Sequence, residues 1–423
     1  MVDKKIEIVR MTKEKEHFFF GYYDISPESP DGSKILVNKT SFIEHMPEKD
    51  DELEVGYIVS DTLEYIPFGK STAWNFQEGC RLQWLDGSRC IYNTRGEKGF
   101  HAVIYDIESK QIVKTYDVPI YSVSIPAGKA LFYSFTNNKY CYAHTEQELD
   151  DDPYKDGIYI LDLYTSEYQR IVSIENLENQ AQIKGINSWT EYCVFNEEGT
   201  LFYFYYRWID KNGGAHTMFC VSDLSGKVEL LLNSNFISHA GWKGNHSITV
   251  WGRIPNKINA LQSNSFLKKT GLWKKGIRIF HKFVRSDKKR QMLTNDSYIL
   301  FDLQKHEMNK IVQKEFTSDG HETWSKNGRF MLTDTYPDAD DNRLLMLFDY
   351  LTNEIFLLGK FYSYPDKMKE TDRRWNECGL RCDLHPKWGK SEKYVYFDSV
   401  HEGYRGLYRA NVSELIKERG KNE

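Results

Sequence analysis

Short runs of alternating apolar and polar residues fill most of this chain, and three of them share one lead-in. Ile248-Thr-Val-Trp251, Phe330-Met-Leu-Thr333 and Tyr394-Val-Tyr-Phe397 each follow a polar turn. Each turn follows the phrase His-x-x-Trp: His239-Ala-Gly-Trp242, His321-Glu-Thr-Trp324 and His385-Pro-Lys-Trp388. Four further segments fit the frame with Tyr22, Arg81, Ser122 and Tyr192 at the His position. Most units then carry a later strand ending on Asp, such as Ala102–Asp106, Met218–Asp223 and Leu345–Asp349, and another short apolar strand after it. Period-2 alternation with Gly/Asp turns and almost no helical periodicity predicts an all-β chain. Four short strands per unit over seven units predicts a seven-bladed β-propeller of four-stranded antiparallel blades. Six or eight blades, a pair of sandwiches or a solenoid are the alternatives. The first unit is expected to close the ring by borrowing a strand from the C-terminus.

Three segments depart from the blade pattern. Residues 255–290 form an insertion in the fifth unit. Its second half holds about ten Lys/Arg and one acid, with Phe266, Trp273, Ile277, Phe280 and Val284 at helical spacing. This predicts a short basic amphipathic helix, either a solvated lid or a contact with an anionic membrane surface or glycan. Asp338 to Arg343 is short and acidic, and Tyr362 to Gly379 reads as a loop before the last blade.

Composition narrows the class. At 423 residues the chain suits one closed propeller, 1–423, with 255–290 inserted in it. The formal charge of -5 offers no polycation for nucleic acid. Aromatics make up 15%, which serves inter-blade packing and also sugar stacking. Seven cysteines without a CxxC pair, no apolar leader and no run long enough to span a bilayer predict a cytoplasmic protein with reduced thiols. The basic insertion adds a possible membrane association.

On a propeller the frame position opens each innermost strand, so Tyr22, Arg81, Ser122, Tyr192, His239, His321 and His385 should converge around one channel mouth. Any one of them alone reads as a satisfied core residue; seven together read as a site. Cys382 lies three residues before His385, and Asp334 belongs to the unit of His321. His321, Cys382, His385 and Asp334 are therefore the candidate metal ligands, a soft N/S set that points to a divalent ion and to zinc first. A buried, inert Cys382 is the alternative. Arg207 stands inside the aromatic run Phe204-Tyr-Tyr-Arg-Trp208. Arg207, Tyr192 and His239 suit removal of a proton next to a carboxylate: the arginine offsets the charge and imidazole or phenolate takes the proton.

At these residues the chain resembles the propeller polysaccharide lyases, oligogalacturonate lyase and, more closely, the ulvan lyases. The matching segments are His17–Pro27, Trp74–Trp84, Tyr206–Trp208, Ser238–His239, Thr333–Pro337, Arg381–Trp388 and Phe397–Gly403. The resemblance implies β-elimination on a uronic-acid glycan and a bound divalent metal. It implies His239 as base, Arg207 as the carboxylate-binding residue, Tyr192 as base or acid, and His321, Cys382 and His385 as metal ligands. Tyr22, Arg81 and Gln77 are read as substrate-binding. Tyr206 stands where family members often carry His before the Arg-Trp pair.

The expected function is thus a polysaccharide lyase acting on an acidic polysaccharide or oligosaccharide. The second reading is a non-catalytic glycan-binding or assembly factor in bacterial surface-polysaccharide biosynthesis, which the basic insertion favours. A glycoside hydrolase needs two carboxylates, and Asp24, Asp334 and Asp383 are available for that reading.

Overall fold

The computed structural model describes residues 1–137, 142–144, 155–234, 236–254, 296–363, 379 and 381–420. The described strands form seven antiparallel sheets of a seven-bladed β-propeller. In chain order the innermost strands are His17–Phe19, Gln83–Trp84, Ser122–Ser124, Asn187–Phe195, Ile237–Lys243, Thr323–Trp324 and Lys387–Trp388. In most blades three more strands follow outward in sequence order; the joins are short in blades 2, 4 and 6, and longer in parts of blades 1, 3 and 5. Alternation of buried and accessible residues along Asn187–Phe195 and Leu53–Val59 is what a half-buried strand between neighbouring sheets requires.

Ring closure runs opposite to the expected direction. Blade 7 has only three strands from the C-terminal part of the chain, and its outer strand is the N-terminal segment Ile8–Arg10, paired antiparallel with Gly406–Asn411. Upstream, Val2–Asp3 adds a parallel fifth strand to Glu354–Tyr362 of blade 6. The first residues therefore bind two blades at once.

The tryptophans of the repeated phrase have a structural task. Each donates its indole N–H to the preceding blade: Trp84 to Pro27 O at 2.8 Å, Trp242 to Val194 O at 3.1 Å, Trp324 to Thr249 Oγ1 at 2.9 Å and Trp388 to Thr323 O at 3.3 Å. A large apolar ring with one donor suits such a seam, because the ring packs while the N–H is satisfied. Many tyrosines also pack: Tyr121, Tyr133, Tyr142, Tyr205, Tyr206, Tyr298 and Tyr396 are fully buried. Gly199, in the inner hairpin of blade 4, has φ +70°, and a Cβ there would run into Ser124 Oγ of blade 3. Only glycine fits that turn.

Two helices are described, Ile174–Ala181 between blades 3 and 4 and Ser413–Gly420 at the C-terminal end. Ser173 caps the first by accepting the Asn176 N–H at 3.2 Å. The helix expected in blade 5, at residues 255–290, lies outside the described residues, as does most of Tyr362 to Gly379. Among the described residues no helix is long and apolar enough to cross a membrane. The five described cysteines, Cys80, Cys90, Cys193, Cys220 and Cys382, are buried free thiols.

Candidate functional site

The inner strands all run the same way along the channel, and irregularities in them turn side chains toward the axis. The register of blade 4 shifts between Glu191 and Val194, the stretch that holds Tyr192, and that of blade 5 shifts between Ile237 and Ala240, the stretch that holds His239. Arg81, Tyr192 and His385 have left-handed φ of 57°, 59° and 47°, a costly conformation for residues with side chains. Such bulges re-aim one side chain while the sheet continues.

The histidines meet. His239 and His321 have ring centroids 4.0 Å apart, and His321 and His385 4.5 Å. Tyr22 stacks on Tyr192 at 5.5 Å and meets His385 at 4.9 Å. This convergence is at the waist of the channel rather than at a mouth: Tyr22, His321 and His385 are almost wholly buried.

Among the described residues, His321, Asp383 and His385 form a group that could hold a metal ion, with ligand atoms within 4.8 Å of one another. The chemistry of these donors fits a cation. His321 Nδ1 is held by Asp334 at 2.9 Å, and His385 Nδ1 by the Gly21 carbonyl at 2.9 Å. Both rings therefore present Nε2 inward. His321 Nε2 is buried without a hydrogen-bond partner, and His385 Nε2 meets the Gln77 amide at 3.1 Å. Burial, reinforced by His239 for His321 and by His321 for His385, pushes both imidazoles well below their ordinary pKa, so they stay neutral, the ligating form. Burial alone would raise the Asp383 carboxyl, but Arg343 and Arg381 hold it well below the usual range.

This grouping differs from the ligand set expected from the sequence. Cys382 is outside the trio: its thiol donates to the Asp383 carbonyl at 3.7 Å, and burial raises its pKa to about 12. Residues 382 and 383 point to opposite sides of an extended chain, so when His385 faces the axis, Asp383 goes with it. Asp334 also stands behind the trio, accepting from His321 N–H at 2.7 Å and Leu384 N–H at 3.1 Å. It orients a ligand in the manner of carboxylate–histidine pairs. Without sulfur, the N/O donor set removes the reason for preferring zinc.

Beside the trio opens a cavity of about 670 Å³, lined by Tyr192, Arg207, His239, Gln77, Glu191 and Asp319 among others. The three side chains singled out for proton removal thus share one space. His239 Nδ1 meets Asp319 Oδ1 at 2.9 Å. Burial would lower the pKa of this imidazole, but the Asp319 carboxylate outweighs burial and raises it. Arg207 pairs through Nε with Glu191 and donates through Nη1 to Thr217 at 2.9 Å. Tyr206, next to it, is buried the other way, its hydroxyl 3.3 Å from Ser188 Oγ.

Two residues expected to touch substrate are placed elsewhere. Arg81 is fully buried, doubly bonded to Asp24 at 3.0 and 2.5 Å, donating to Tyr121 O and lying over the Tyr121 ring at 3.6 Å. With its charge and donors committed, it is a structural ion pair. Tyr22 is enclosed at the waist and does not line the cavity. Gln77 does line it, bridging the cavity to His385. Sequence reasoning missed Asp319 and Glu191, and considered Asp383 only as a carboxylate for the hydrolase reading. Asp319 and Asp383 each lie two residues before a frame histidine, the spacing that puts side chains on one face of an extended strand. That signal was present in the chain.

No protein-family profile and no curated protein sequence matches this chain. Solved structures do. Oligogalacturonate lyase from Vibrio parahaemolyticus aligns over 97% of this chain and 96% of its own at 12% identity, TM-score 0.59. An oligogalacturonate lyase in complex with manganese aligns over 97% and 95% at 12% identity, TM-score 0.41. TolB from Acinetobacter baumannii aligns over 90% and 80% at 14% identity, TM-score 0.41. At these identities the likeness establishes the propeller fold and no more.

Proposed function

We propose that this protein is a lyase-like enzyme that cleaves a uronic-acid-containing glycan by β-elimination. One observation carries the reading: Tyr192, Arg207 and His239 line a single cavity, with a carboxylate behind the histidine. Arg207 binds the substrate carboxylate through the guanidinium nitrogen that neither Glu191 nor Thr217 engages, and so acidifies the neighbouring C–H. His239, oriented at Nδ1 by Asp319, takes that proton. The electron pair of the C–H bond forms the C=C bond, the bond to the glycosidic oxygen breaks, and the Tyr192 hydroxyl protonates the departing oxygen. His321, Asp383 and His385 would hold a divalent ion, which supplies Lewis-acid stabilisation of the carboxylate when bound. Gln77 connects that trio to the cavity.

The test is incubation with a panel of uronate polymers, following the absorbance of the unsaturated product. His239→Ala should lower the rate by at least about a hundredfold. No product from any polymer, with glycan binding unchanged in His239→Ala, would remove this reading.

A second reading keeps the cavity for recognition alone. It is favoured by the Glu191–Arg207 pair, which already offsets the arginine's charge. On that reading Glu191→Gln strengthens glycan binding and no product forms.

A further inference from the structure

The channel has a second opening, at the opposite ends of the inner strands. A cavity of about 490 Å³ is lined there from all seven blades, by residues that follow the frame positions: Ser26, Trp84, Ser124, Asn196, Trp242, Ser325 and Lys390 are one from each. It shares no lining residue with the first cavity. Its size is within the ordinary range of small-molecule pockets.

Three lysines line it, Lys326, Lys387 and Lys390. Lys387 Nζ donates to the Asp24 carbonyl at 3.1 Å, and Lys326 Nζ to the Lys390 carbonyl at 2.9 Å. Among the described residues none of the three has a carboxylate within ion-pair distance. The nearby acids are engaged elsewhere. Asp24 is taken by Arg81. Glu28 accepts from Ser391 and from Tyr396 Oη at 2.9 Å. Glu392 accepts the Lys326 backbone N–H. Glu197 lines the cavity from the exposed rim. Like charges gathered in a partly enclosed mouth are a cost that an anion relieves.

A fourth group points to a ligand independently. Glu322 lines the same cavity, is fully buried, and neither carboxylate oxygen has a hydrogen-bond partner. Among the described residues it forms no ion pair with any of the three lysines. The remaining wall is rich in hydroxyls and amides, including Ser122, Ser124, Thr323 and Asn196, which suits a ligand that carries hydroxyls of its own.

We propose that this second mouth is a binding site for a small hydroxylated carboxylate of hexuronate size, with Lys387 and Lys390 meeting its carboxylate and Glu322 and the hydroxyl wall meeting its hydroxyls. The site is separate from the one read as catalytic and stands whether or not that reading does. Titration calorimetry of the full chain with glucuronate tests it, in an Arg207→Ala background so that the first cavity contributes nothing. Saturable binding is expected, at least about tenfold weaker in Lys387→Gln and in the exposed-site variant Lys390→Gln. Uncharged glucose should give no comparable signal. Absence of saturable glucuronate binding overturns the proposal. So does binding that neither lysine variant weakens, or that glucose reproduces. Lys390 is exposed, so loss of folding does not obscure its variant. Glucuronate binding seen only when Arg207 is intact assigns the ligand to the first cavity instead.

Discussion

Asp334 shows how one side chain fixes a whole corner of the channel. Its carboxylate takes the backbone N–H and the imidazole of His321 and also the N–H of Leu384, linking blade 6 to the segment that carries Asp383 and His385. Burial raises its pKa to about 6 even so. Asp334→Ala should weaken divalent-metal retention by about ten- to a hundredfold, the usual cost of losing such a partner, as read by metal analysis of the purified protein. Cys382→Ser should leave metal content unchanged, since its thiol turns away from the trio; loss of metal in that variant would restore sulfur to the ligand set. The sequence made the three histidines visible because they repeat. Asp319 and Asp383 recur only twice, each two residues before a frame histidine, so their signal is weaker than that of the histidines. Arg81 was misread for a related reason: a polar residue in the repeat phase looks the same whether it faces a ligand or a buried Asp24.

The inner strand is the element on which the architecture depends, and its alternation, its Gly/Asp turns and the His-x-x-Trp phrase were all legible in the chain. The phrase divides its labour: the histidine turns to the axis and the tryptophan fastens the blade to its neighbour. Trp388→Phe should cost about 1 kcal/mol, the value of the lost hydrogen bond to Thr323, measured by denaturant unfolding. What the alternation does not single out is a bulge, since the one-residue phase shift that a bulge causes looks like any other break in the pattern. It encodes the partner of the closing strand no better, because Ile8–Arg10 is too short to declare its sheet. Deleting residues 1–10 should remove the outer strand of blade 7 and the fifth strand of blade 6 together. A clear fall in melting temperature is expected, reflecting at least about 3 kcal/mol from lost ladder bonds alone. An unchanged melting temperature would mean that the ring closes without its N-terminal strands.

Across the whole molecule, several buried carboxyls are held neutral. Burial raises Glu78 to about 8, Asp156 to about 7 and Asp398 to about 8. Each folded value exceeds the unfolded one, so the associated stability is fully present below about pH 4 and is lost as pH rises through 7 and 8. Stability should therefore decline from about pH 4 to about pH 8 and level off above that, by up to about 1.4 kcal/mol per pH unit for each group that must ionise. Melting temperatures from pH 5 to 9 check this, and Asp156→Asn should flatten part of the slope. A stability that rises across that range would contradict it.

The packed waist of Tyr22, Tyr23 and the three histidines carries a consequence for traffic. A long glycan has no passage from one face of the disc to the other, so it cannot be reeled through the hole like thread through a bead. Among the described residues, whatever enters from the Arg207 side must leave by that same side.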